Sequence, residues 1–73
     1  MTLEDMILIT GIIIQGRVNL KLWDENGDEV MSMFIEDFEY EHDKVPDELW
    51  KENKVKYMYY AADALQIEIV KED

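Results

Sequence analysis

Apolar and polar positions alternate with a period of two along much of this chain, which is the pattern of half-buried strands. The alternation is cleanest after Arg17. Val18, Leu20 and Leu22 fall on one side, and Asn19, Lys21 and Trp23 on the other. Asn26-Gly27 follows, the preferred pair for a two-residue type I′ hairpin, because both loop positions need positive φ. With that loop, Glu25 faces Asp28, Trp23 faces Val30, Leu22 faces Met31, Leu20 faces Met33 and Val18 faces Ile35. One side of the hairpin is then wholly apolar. A slip of one residue would turn that side to solvent, so the register is well specified.

The flanking segments extend the strand reading. Met6–Thr10 and Ile12–Ile14 are apolar and largely β-branched, as strands favour. Gly11 between them reads as a bulge or sharp bend, and Gly16 as a tight turn or a second bend. In 36–43, Phe38 and Tyr40 alternate with Glu39 and Glu41, which predicts further extended chain. Their parity differs from that of Met33. A bulge near Glu36-Asp37 is preferred to a second aromatic face of Trp23, Phe34, Phe38 and Tyr40. Pro46–Glu52 reads as a helix of one or two turns, with proline and acids at its start. Leu49 and Trp50 would plug it into the core. Val55–Tyr60 and Leu65–Ile69 are strands around a turn at Ala61-Ala62-Asp63.

The expected fold is mainly β: four or five antiparallel strands with one short helix. A three-stranded meander precedes the helix and a hairpin follows it. Strands this few, bent by glycines, form a small barrel or a strongly twisted sheet. The alternative is an α+β open sheet with the helix on one side. The expected core is Val18, Leu20, Leu22, Met31, Met33, Ile35, Leu65, Ile67 and Ile69.

Size and composition narrow the picture. Seventy-three residues make a single domain, 1–73. A core this small rarely supplies more than about 3–5 kcal/mol. With 48% hydrophobic residues the chain is not a disordered acidic tail. No cysteine is present, which excludes disulfides, thiolate metal sites and cysteine nucleophiles. The start Met1-Thr2-Leu3-Glu4-Asp5 lacks the positive region of a secretory signal. The longest apolar run, Met6–Ile14, is too short for a membrane span. A cytoplasmic location is the expectation. The initial Met and charged end read as a whole gene product.

Candidate chemistry is sparse. Asp24, Asn26 and Asp28 match the opening of a calcium loop, but Glu29 stands at the glycine position and Ile35 at the glutamate position. A solvated hairpin tip is the better reading. His42 is the only histidine, and one histidine among carboxylates is not a zinc set. Ser32 has no evident base or oxyanion donor. The three glycines are isolated, so no phosphate loop exists. The expectation is no enzyme, no metal and no cofactor.

Charge and aromatic residues point instead to a partner. The chain has 18 acids and 7 bases, a net charge of −11. Between Asp24 and Glu52 lie 12 acids and two lysines, a balance of −10, while the remainder carries 6 acids and 5 bases. A strongly negative surface disfavours direct contact with nucleic acid. It suits a protein partner with a basic surface, met by a monomer or weak homodimer. The expected contact residues are Asp37, Glu39, Glu41, Asp43, Asp47 and Glu48, with Trp23 and Tyr60 as exposed aromatics. In the strand Val55–Tyr60, Tyr59 and Tyr60 cannot both face the core; if Val55, Tyr57 and Tyr59 face inward, Lys56, Met58 and Tyr60 face outward, the arrangement that exposes Tyr60.

A second function remains open. In a strand, Asp37, Glu39, Glu41 and Asp43 would repeat about every 6.6–6.8 Å on one side, roughly every second phosphate of a DNA strand. In composition, though in no shared motif, the chain resembles small acidic phage and mobile-element proteins that block restriction, repair or CRISPR enzymes. That resemblance implies a DNA mimic that inhibits a nucleic-acid-binding protein.

Overall fold

A computed structural model describes residues 1–71. Two hairpins interlock in one four-stranded sheet. The first joins β1 (Val18–Trp23) and β2 (Glu29–Ile35), and the second joins β3 (Lys54–Ala61) and β4 (Ala64–Val70). The strand order is β2-β1-β4-β3. Each hairpin is antiparallel, but β1 and β4 pair parallel at the centre, Val18 opposite Leu65 and Leu22 opposite Ile69. The sheet is therefore mixed and open, with β2 and β3 at its edges. It is neither a barrel nor purely antiparallel, and two strands, not three, precede the helical crossover. The open-sheet alternative describes it best.

The hairpin register follows the apolar pattern where that pattern is strongest. Val18 opposes Ile35, Leu20 opposes Met33 and Leu22 opposes Met31. The loop differs from expectation. Trp23 opposes Glu29, with Val30 bulged out, and the Asp24 N–H donates to Asp28 O at 2.9 Å. Gly27 alone in this loop has positive φ, and its N–H donates to Asp24 O at 3.1 Å. That is a longer loop with its left-handed residue last, not a two-residue type I′ turn. A two-residue loop with both φ positive occurs instead at Ala62-Asp63, closing Ala61 onto Ala64.

The segment Leu3–Thr10 is a helix, α1, not a strand. Thr2 caps it: its hydroxyl accepts the Asp5 N–H at 3.1 Å, and the Asp5 carboxylate accepts the Thr2 N–H at 3.3 Å. This reciprocal pair satisfies two of the free donors at a helix start. Gly11, at φ 70°, ends the helix in the left-handed conformation. It marks a stop, not a bulge. Residues 11–17 then return irregularly to β1, dropping Ile14 into the core.

The stretch after β2 is also helical: α2 (Phe38–Glu41), a 3₁₀ turn (His42–Lys44) and α3 (Asp47–Trp50). The parity conflict at Phe38 is resolved by this helix, which buries Phe38 without a bulge or a second aromatic face. Pro46 precedes α3, and Leu49 is fully buried. The helices and the 3₁₀ turn cover one side of the sheet.

The core lies between that layer and the sheet. Val18, Leu20, Leu22, Ile35, Leu65, Ile67 and Ile69 are buried as expected, while Met31 and Met33 are half-buried at the edge strand. Leu3, Ile14, Phe38, Val45 and Leu49 complete it from the helical side. In β3 the expected parity is inverted. Val55 pairs Ile69 and Met58 pairs Ile67 on the core side, whereas Tyr57 pairs Glu68 and Tyr59 pairs Gln66 on the open side. An irregularity at Lys56, between Val55 and Tyr57, produces the switch, as an extra residue in a strand must.

Candidate interaction surface

The acids singled out by sequence fall in the helical layer. Asp37 precedes α2, and its N–H donates to Glu41 Oε2 at 3.1 Å. Glu41 also accepts from Lys44 Nζ at 3.3 Å. The Asp37 N–H, and then Lys44, hold the Glu41 carboxyl below the ordinary glutamate value. Glu39 is exposed and accepts from Gln15 Nε2 at 3.4 Å. Asp43 and Glu48 are exposed, and Asp47 pairs with Lys51 at 3.6 Å. Residues two apart on a helix lie about 200° apart around its axis. Asp37, Glu39, Glu41 and Asp43 therefore do not form a one-sided row, and the strand-like, phosphate-like repeat is absent.

Next to these acids the helical layer leaves apolar surface open. α1 buries Leu3 and half-buries Met6 and Ile7, positions i, i+3 and i+4 of one side. Its other side carries Glu4 and Asp5 in the first turn but is apolar in the second, so Leu8 and Ile9 project outward, about 70% exposed. Ile12 and Ile13 continue this patch, and Ile13 is 79% exposed. A shallow groove of about 330 Å³ runs between Ile7, Leu8, Ile12, Ile13, Phe38 and Trp50, with Glu39 and His42 on its border. An aromatic cluster forms one side of it. Phe38, His42 and Trp50 have ring centroids 6.1–6.3 Å apart, with His42 and Trp50 stacked. Trp50 is fixed further by its indole N–H, which donates to Glu4 Oε2 at 3.0 Å. A second depression, lined by His42, Asp43, Val45, Asp47 and Trp50, adjoins the first through His42 and Trp50.

This groove escaped the sequence reading, because a strand at Met6–Ile14 would have buried those residues alternately. The signal was available in Thr2-Leu3-Glu4-Asp5, a capping box ahead of an apolar run, and in the stop at Gly11.

The two aromatic residues expected at the contact lie elsewhere. Trp23 is on the open side of the sheet, with Lys21 Nζ 5.9 Å from its ring centroid and its indole N–H buried without a partner among the described residues. Phe34, Tyr57 and Tyr59 share that side. A hydrogen bond to Glu68 raises the Tyr59 phenol above the ordinary value of 10.0, with burial and the Glu68 charge adding to it. Tyr60 is on edge strand β3, on the core side of the register yet 79% exposed, not outward on the open side as expected. The sheet thus separates Trp23 from the helical acids. It also separates Ser32, opposite Lys21 on the open side, from His42 in the helical layer.

At the hairpin tip, Asp24 Oδ1 accepts the N–H groups of Asn26 and Asp28, both at 2.9 Å. This carboxylate closes the loop on itself. No group of three or more metal-ligating side chains occurs among the described residues. Among them, no helix is long and apolar enough to cross a membrane. Comparison with protein-family models, with curated proteins and with solved structures gives no match.

Proposed function

We propose that this domain is a non-catalytic, cytoplasmic protein-interaction module whose helical layer presents an acidic surface to a basic partner. One observation carries the reading: acids outnumber bases in that layer beyond what its own lysines neutralise. Lys44 and Lys51 are engaged with Glu41 and Asp47. Glu39, Asp43 and Glu48 remain exposed, with no lysine or arginine at ion-pair distance among the described residues. Such a surface steers encounter with a positive partner and weakens as salt screens it, over about 8 Å at physiological ionic strength.

The test is capture from an extract of the source cell at low and high salt. The wild-type domain is compared with a variant carrying Glu39→Gln, Asp43→Asn, Asp47→Asn and Glu48→Gln. The expected result is a basic protein retained at low salt and lost both at high salt and with the amide variant. Retention indifferent to salt and to the four substitutions refutes the reading. Displacement of the captured protein by duplex DNA would instead mark the domain as a competitor for a nucleic-acid site.

A further inference from the structure

Resting on that acidic-surface reading, we propose that the groove between α1 and α2–α3 takes an amphipathic, basic helical segment of the partner. Its apolar anchors seat on Leu8, Ile12, Ile13 and Trp50, and its lysines or arginines meet Glu39 and Asp43 at the rim.

The apolar half of the argument is the exposure of α1. A domain this small has few aliphatic residues to form its core, yet Leu8, Ile12 and Ile13 stand exposed around one groove. Contiguous exposed aliphatic surface around a groove is the form in which docking sites occur. The aromatic side is preorganised, since the Phe38–His42–Trp50 cluster and the Trp50–Glu4 hydrogen bond hold its rings before any partner arrives. A preformed site loses less freedom on binding.

The charged half selects the occupant. Glu39 borders the groove, and Asp43 and Asp47 line the depression that continues from it. A second copy of this chain is disfavoured. A two-fold contact brings the same patch of both copies into one interface, so the acids of one copy would share it with the acids of the other and no cation would be added to meet them. Each copy would bring the net charge of −11. A segment with apolar residues on one side and cations flanking them matches both halves. Helical rather than extended form follows from the walls. The groove lies on the helical layer, away from the sheet edges β2 and β3, so it offers side chains and not the free strand backbone that an added strand needs.

The experiment uses the whole domain and three synthetic peptides of about 14 residues, near four helical turns. One carries leucines at i, i+3, i+4 and i+7 with lysines beside them. The second has the same composition with the leucines dispersed around the helix. The third has glutamates for lysines. Binding is read by titration calorimetry and by amide NMR shifts. The first peptide is expected to bind and to shift Ile7, Leu8, Ile12, Ile13 and Glu39. The second should bind at least about tenfold more weakly, and the third not at all. Ile13→Asp or Leu8→Asp, both at exposed positions, should weaken the first peptide by at least about tenfold, because each removes an apolar anchor.

Three outcomes overturn the groove. If the first two peptides bind equally, Ile13→Asp changes nothing, and the amide variant releases both, the acids alone bind; the broader proposal then stands and this one falls. If the first peptide does not bind, this proposal falls, and the salt-dependent capture decides the broader one separately. If sedimentation shows a dimer that Ile13→Asp dissolves, the occupant is a second copy.

Discussion

Replacing Ala62 by asparagine should make this protein more stable. Ala62 and Asp63 form the two-residue loop between β3 and β4, with φ of 54° and 61°. An L-residue with a Cβ in the left-handed region costs roughly 1–2 kcal/mol. Alanine has no polar side chain with which to offset that cost. Asparagine does, and it is a favoured residue at the first position of a type I′ turn. The expected gain is about 1 kcal/mol. For a domain of this size that raises Tm by about 4–8 °C. At an m-value near 1 kcal/mol/M it moves the urea midpoint up by about 1 M. Glycine relieves the same strain but adds freedom to the unfolded chain, at a cost of about 0.4–1 kcal/mol. Valine, branched at Cβ, should be worse than alanine. The predicted order of urea midpoints, followed by far-ultraviolet circular dichroism, is Asn above Gly, Gly above Ala and Ala above Val. An asparagine variant with the wild-type midpoint, or a valine variant at or above it, would refute the strain at this turn.

Two further outcomes follow from the core and from the open side of the sheet. Leu20 is fully buried between Met33 and Ile67 in neighbouring strands, so Leu20→Ala should cost about 2–5 kcal/mol, comparable with the whole stability a core of this size supplies; a thermal melt unchanged from wild type would show the register to be wrong. In an ultraviolet titration, the difference between wild type and Tyr59→Phe should give a midpoint above 10.0, and a midpoint at or below that value would remove the Glu68 interaction. Because the folded value is raised, that contribution to stability is present below the unfolded value and is lost as pH climbs through the folded one.

The parts of the fold that could be read in advance are those in which one local pattern has one structural solution. Val18, Leu20 and Leu22 opposite Met31, Met33 and Ile35 is such a case, because only one pairing puts six apolar residues together. At Met6–Ile14 the apolar run has no polar phase to reveal its period, so β-branched composition favoured a strand while the cap at Thr2 and the stop at Gly11 decided for a helix. In 36–43 the alternation of Phe38 and Tyr40 with glutamates fits a strand, yet tertiary burial of Phe38 in α2 prevailed. The irregularity at Lys56 carries no mark in sequence, and it reverses every tyrosine after it. The parallel pairing of β1 with β4 joins segments with no local relation at all. The candidate site divides in the same way. Its acids are visible one by one, but their neighbourhood with Ile12, Ile13 and Trp50 exists only because α1 is helical.

That parallel seam also governs when the protein can acquire its shape during synthesis. Asn19 bonds to Gln66, a separation of 47 residues, and the ladder around it binds the first hairpin to the last strand. The β1–β2 hairpin can close within microseconds of emerging. Its stripe of Val18, Leu20 and Leu22 still lacks its lateral neighbour until Leu65, Ile67 and Ile69 have been made. The nascent chain therefore carries an uncovered β1 edge from the time Trp23 is added until Leu65 follows, a state open to chaperones and to wrong pairings. Completion is correspondingly abrupt: the arrival of β4 fills the centre of the sheet in one step, so shortening the chain to end before Leu65 should remove the whole fold and not merely its last strand.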